Sequence, residues 1–256
     1  MVPHKQYFQL HNACFRTMAA LKLDLVRVPL GCTCHLPLAG QARKCGKHLD
    51  RKCRHVDLCN SAGRERAHAS LRRSLASKLG RAGAMTDEEV VIPDLCHPLP
   101  EGGCSERIMD VVAAWPASST TLLFDVTVRS SWAKRYANTD ADPGSTGRKA
   151  DAEKVGKYGC TVHPVAFQTL GRLSKGGMQA LEVACAEAKE WGRHLSARDL
   201  RLELEFVVLR AGAQSLLRAL GGGFEAATGH WSAVVNEDAD LPGSRPHLAL
   251  GEGPVE

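Results

Sequence analysis

The sequence lacks the marks of export and of membrane insertion. Its first residues, MVPHKQYFQLHNACF, have no basic stretch followed by an apolar one, which a secretory leader requires. No apolar run approaches the roughly 18–20 residues needed to span a bilayer. Aromatic residues are scarce, at 5%, so a core must be assembled from aliphatic side chains, for which an apolar fraction of 44% suffices. Acids are nearly absent from one segment: residues 41–81 carry twelve Lys or Arg against three Asp or Glu. With a net charge of +5 for the whole chain, that segment's excess leaves the remainder negative. A basic surface concentrated in this way suits a polyanion, most simply nucleic acid, the alternative being a solvated helix face.

The ten cysteines come without an export signal, so metal binding or plain burial is favoured over disulfides. Five crowd between Cys32 and Cys59, in a segment rich in His and basic residues. Cys14, Cys96, Cys104, Cys160 and Cys185 are scattered and read as small buried side chains. Thiolates and imidazoles at such density can bind Zn²⁺ tetrahedrally, and a closed four-ligand site stabilises a segment too polar to form its own core.

Periodicity divides the chain further. Residues 1–31 read as a helical linker from an upstream region, 32–63 as a Cys/His zinc-knuckle-like segment, 64–222 as the main domain, and 223–256 as a disordered acidic tail. From Arg64 to Ala82, Ala67, Leu71, Leu75 and Leu79 recur every four residues, predicting an amphipathic helix. EEVVIP, RIMDVVAAW and TTLLFDVTVRS read as three strands, GRKADAEKVGKYG as a helix capped by Thr146 or Ser145, and TVHPVAFQTLG as a fourth strand. Two further helices follow. Strands interrupted by a crossover helix predict an α/β fold with a mixed central sheet flanked by helices.

Asp110 and Asp125 share an oddity: each is the lone acid in a run that otherwise reads as buried. An isolated carboxylate there is costly unless paired. On adjacent strands the two could meet around Mg²⁺, a hard cation that takes carboxylate oxygens and polarises a phosphodiester. The alternative is that each ends its strand or pairs with an arginine such as Arg107 or Arg129.

RIMD, then LLFDVTV, then a helix with KVGKYG, and after it VAFQTLGR, resemble the restriction-like endonuclease of site-specific non-LTR retrotransposons, a branch of the PD-(D/E)xK nucleases. The resemblance implies a restriction-endonuclease-like fold and Mg²⁺-dependent nicking of DNA in the nucleus, with RNA as a second polyanion and no small-molecule cofactor. It implies Asp110 and Asp125 as Mg²⁺ ligands and Lys154, four residues before Tyr158, as the catalytic lysine. Met109 stands where that family has Pro; a literal Pro-Asp occurs at Pro93–Asp94, further from Asp125. Lys157 is a rival to Lys154, and Glu89 a further carboxylate. The same family carries a zinc knuckle before its nuclease. Its ligand order matches Cys32, Cys34, His55 and Cys59, with His48 and Cys53 as an alternative pair. Arg51, Lys52, Arg54, Arg64, Arg66 and Lys157 are then the expected phosphate contacts.

Overall fold

The computed structural model describes residues 14, 17–19, 31–38, 43–59, 63–98, 104–116, 118–133 and 144–221. The acidic tail and most of the expected N-terminal helix lie outside these residues. Cys14 and Met18, the helical residues nearest that expectation, pack on Leu209 and Ala213. No helix among the described residues is long and apolar enough to cross a membrane.

The elements run α1 (Arg54–Leu58), α2 (Gly63–Arg81), β1 (Met85–Val91), β2 (His97–Pro98), β3 (Cys104–Ser105), β4 (Ile108–Trp115), β5 (Thr120–Arg129), α3 (Ser145–Tyr158), β6 (Val162–Gln168), α4 (Lys175–Glu190) and α5 (Ala197–Ala219). Four strands form a mixed sheet in the order β1-β4-β5-β6, antiparallel except for the parallel β5–β6 pair. The expected α/β class with a flanked mixed sheet is therefore what the chain adopts. The two-residue β2–β3 ladder is an addition that so short a pattern does not announce.

One face of the sheet carries most of the core. Val111, Ala113 and Trp115 of β4, Leu122, Phe124 and Val126 of β5, and Val165 and Phe167 of β6 pack under Leu71, Leu75 and Leu79 of α2. Ala180, Leu181 and Ala184 of α4 and Leu200 and Leu204 of α5 close the same cluster. A smaller cluster gathers Met109, Tyr158 and Val162 with the half-buried Ile92, Val112 and Leu123. β5 has neighbours on both edges, and residues 124–127 are buried. A charge at Asp125 thus sits in the buried middle of a strand paired on both edges.

The helix α3 starts differently from its sequence expectation. Gly144 is its N-cap and no side chain caps it; Ser145 and Thr146 are buried in the first turn instead. Its Asp151 serves a neighbouring helix, accepting from the Gly176 N–H (2.9 Å) and the Ser174 hydroxyl (2.7 Å) at the start of α4. Ser174 in turn accepts from the Gly177 N–H. The approach is tight: a Cβ on Gly176 would lie 2.8 Å from the Asp151 carboxylate, and one on Gly177 would lie 2.4 Å from Leu173 Cδ1. Asp151→Ala leaves two donors short of an acceptor and is expected to lower stability by about 1–2 kcal/mol, read as a shifted urea midpoint at unchanged slope.

Candidate functional site

The charge in the middle of β5 has its partner on α3. Asp125 is 4% exposed, and Lys154 Nζ lies 2.5 Å from its Oδ1. α3 is the crossover between the parallel strands β5 and β6 and packs against both, which lets a side chain of the helix reach Asp125. Tyr158, one turn beyond Lys154, is buried; its hydroxyl donates toward Asp125 and accepts from Lys157 Nζ. Burial, reinforced by the Asp125 charge, holds the phenol well above its usual range. Lys157 Nζ lies 4.4 Å from the Tyr158 ring centroid, and Lys154 Nζ and Arg107 Cζ are each at 6.0 Å. Burial and then the neighbouring Lys154 charge hold the Lys157 amine below its ordinary value.

Asp110 stands where the pairing of β4 lapses on both edges. The β4–β5 register ends at Val111–Phe124, one step short of setting Asp110 opposite Asp125. The β1–β4 register passes over Glu89 and Asp110, and Glu89 has a left-handed φ of 57°. The Asp110 carboxylate fills the gap: Oδ2 accepts from the Val126 N–H at 2.7 Å, and Oδ1 lies 3.2 Å from His68 Nε2 on α2. The same imidazole nitrogen is 3.0 Å from the Val126 carbonyl. Val126 thereby regains both backbone partners, as a buried strand residue must. The Asp110 hydrogen bond lifts the His68 pKa above its usual value in spite of burial. Nothing in the spacing of the chain announces His68, which is 42 positions upstream of Asp110.

A second constellation lies at the other end of the described chain. Thr33 pairs with His48 and Pro37 with Lys44, setting residues 33–37 antiparallel to 44–48. Cys34 N–H donates to Lys47 O, Gly46 N–H to Cys34 O, and Cys45 N–H to Leu36 O. Gly46, at φ 70°, takes the turn that a side chain would disfavour. Asp50 Oδ1 accepts from the Arg54 N–H at the start of α1. His55 on that helix and its C-cap Cys59 are four apart and share a side.

The ligand atoms of Cys34, Cys45, His55 and Cys59 all lie within 4.8 Å of one another. Cys34 Sγ is 3.9 Å from Cys59 Sγ, and Cys45 Sγ is 3.2 Å from His55 Nε2. Zinc at about 2.3 Å from sulfur and 2.0–2.1 Å from nitrogen, in a tetrahedron, separates two sulfurs by roughly 3.8 Å and sulfur from nitrogen by roughly 3.5 Å. The four residues can bind a metal such as zinc. Burial raises the Cys34 thiol and carries Cys59 to about 12. Burial also pushes Cys45 up, but the Lys47 backbone and the Cys59 and Cys34 side chains outweigh it, so its pKa is lowered. A bound dication supplies the charge that keeps buried thiols ionised.

Three of the four expected ligands therefore meet; Cys32 does not join them, and Cys45 takes its place. Two residues of extended chain displace Cys32 from Cys34 by about 6.5–7 Å, whereas the fold-back brings Cys45 in from the opposite strand. Cys32 is half-buried and acts electrostatically on Cys53. The alternative pair fails as well: His48 is exposed in the fold-back, and Cys53 is the buried N-cap of α1, its thiol pushed up to about 12, first by burial. Cys32→Ser is expected to keep the full zinc content of the purified chain and Cys45→Ser to lose most of it, measured by elemental analysis after gel filtration.

The remaining expected positions fall into place unevenly. Glu89 is exposed and ion-paired with Arg72 on α2, as a strand-edge acid. Pro93 and Asp94 are exposed in a 3-10 turn after β1. Arg51, Arg54 and Arg66 are exposed and Lys52 half-buried; Arg64 lies in the first turn of α2, its side chain outside the described set. Arg54 stacks on Trp132, its Cζ 4.3 Å from the ring centroid, so it also ties α1 to the exit of β5. The sequence matches no protein-family model and no curated protein.

Proposed function

We propose that the chain is a metal-dependent endonuclease module that hydrolyses phosphodiester bonds of DNA, similar to the restriction-like endonuclease of site-specific retrotransposons. The observation that carries this reading is the buried Lys154–Asp125 pair beside the point where β4 and β5 part, with Asp110 next in register. Asp110 and Asp125 are the residues that would hold Mg²⁺. The ion supplies, when bound, a polarised phosphate and a water of lowered pKa.

This chain's own groups do the rest. Lys154 pairs with Asp125 in a buried strand and offers its amine to the attacking water or to charge developing on a phosphate oxygen. Lys157, the rival, is turned to Tyr158 and sits one step further out. The zinc-bound segment holds Arg51, Lys52 and Arg54 as a basic surface that continues onto Arg66 of α2, where phosphate contacts position a duplex without reading its sequence. The natural setting of such a module is the nucleus, and its origin a retrotransposon.

A second reading, a nucleic-acid-binding relic of the same fold, has one observation in its favour. Both acids already have protein partners: Asp110 with Val126 and His68, Asp125 with Lys154. The experiment is a supercoiled-plasmid nicking assay on zinc-loaded protein with and without Mg²⁺. Nicking that needs the ion selects the first reading; salt-sensitive DNA binding without nicking selects the second.

A further inference from the structure

Arg107 enters neither reading, yet its surroundings are unusual. It lies just before β4, three residues ahead of Asp110, and its backbone carbonyl accepts from the Ile92 N–H. Its guanidinium faces the Tyr158 ring at 6.0 Å, on the ring that Lys154 and Lys157 also approach. Three cations thus surround one buried tyrosine. Of these, Lys154 is paired with Asp125 and Lys157 with the Tyr158 hydroxyl. The Arg107 Nε is buried and has no hydrogen-bond partner among the described residues. A buried, unsatisfied donor on a charged group is costly and calls for an explanation.

We infer that Arg107 and Lys157 form a phosphate clamp over Tyr158 that takes a backbone phosphate of the nucleic acid beside the Asp110–Asp125 centre. The inference deepens the nuclease reading and rests on it for the identity of the bound strand. Arg107 brings the planar fork that fits two phosphate oxygens, and Lys157 brings a mobile point charge whose present acceptor is only a phenol. A phosphate would take the outer nitrogens of the Arg107 fork and release Lys157 from Tyr158. It would also offset the mutual repulsion of the three cations, which Lys157 feels from both Lys154 and Arg107.

The test uses zinc-loaded full chain and a short fluorescein-labelled DNA duplex in buffer without Mg²⁺, with affinity followed by anisotropy across a salt series. The double variant Arg107→Gln, Lys157→Gln is expected to flatten the slope of log affinity against log salt by about 0.9, the value for one phosphate contact, and Arg107→Gln alone by part of that. Affinity at fixed salt should fall about 5- to 10-fold, with Arg107→Lys recovering part of it. Combined with Lys157→Gln, the losses should be less than additive, because both side chains serve one phosphate. An unchanged slope, strict additivity, or a loss of binding that merely tracks a lowered melting temperature would overturn the clamp. If wild-type protein binds but never nicks in Mg²⁺, the nuclease reading alone falls, and the clamp is still decided by the slope and the coupling.

Discussion

Asp125→Asn is expected to abolish Mg²⁺-dependent nicking, a loss on the order of 10³-fold, while DNA affinity changes by no more than a few fold. The carboxylate is buried within β5, and the Lys154 amine is its ion-pair partner. An amide of the same shape cannot hold a divalent ion or balance that amine. The substitution also strands a cation in the protein interior, which typically costs about 3–5 kcal/mol. Loss of activity alone would therefore be ambiguous between chemistry and folding. The double variant Asp125→Asn, Lys154→Met removes the stranded charge and should regain much of the lost stability, since replacing both members of a buried pair is far milder than replacing one. It should remain inactive. Nicking that returns together with thermal stability in the double variant would show that the pair is structural.

Removal of zinc is the second large effect. The Cys34–Cys45–His55–Cys59 segment has a small apolar cluster of its own, Leu36, Leu49 and Val56, which is completed only by Leu216, Leu217 and Ala219 of α5. A segment so built would draw on a bound ion for folding free energy, and structural zinc contributes on the order of 10 kcal/mol in isolated zinc-finger peptides. Chelation, or Cys59→Ala, should expose residues 43–59 to proteolysis and lower the melting temperature of the whole chain, because the end of α5 loses its cover. Since thiolate and neutral imidazole are the binding forms, lowering the pH should release zinc and reproduce the effect reversibly. A chain that melts identically with and without chelator would remove zinc from the account.

The parts of the fold legible in sequence are those set by repeating patterns. Leucines every four residues place α2 over the sheet, and the apolar run around Asp125 marks the buried central strand. That Asp125 needs a partner follows from desolvation alone; that Lys154 is the partner required the resemblance of the Lys-x-x-x-Tyr helix, and the coordinates put the two together. What escaped depends on contacts between distant segments. Cys45 replaces Cys32 because a fold-back, with no period of its own, chooses the strand partner. His68 reaches Asp110 because the two ladders of β4 lapse at one residue, a break in pairing that composition does not encode. The cap of α3 differs for a tertiary reason: Ser145 and Thr146 are good caps in isolation, but packing buries them in the first turn and Gly144 takes the cap position.

The short helix α1 grips two chain ends at once: Arg54 rests on Trp132, just past β5, and Asp57 accepts from Thr169, just past β6. It behaves as a staple across the exits of two neighbouring parallel strands, and an ion held by Cys34, Cys45, His55 and Cys59 would be the fastener that closes it. Slackening that fastener would let both exits splay, and the disturbance would travel up β5 toward its buried acid. A metal bound at Cys34, Cys45, His55 and Cys59 would thereby set, without doing any chemistry, how firmly the interior of the sheet is held in register.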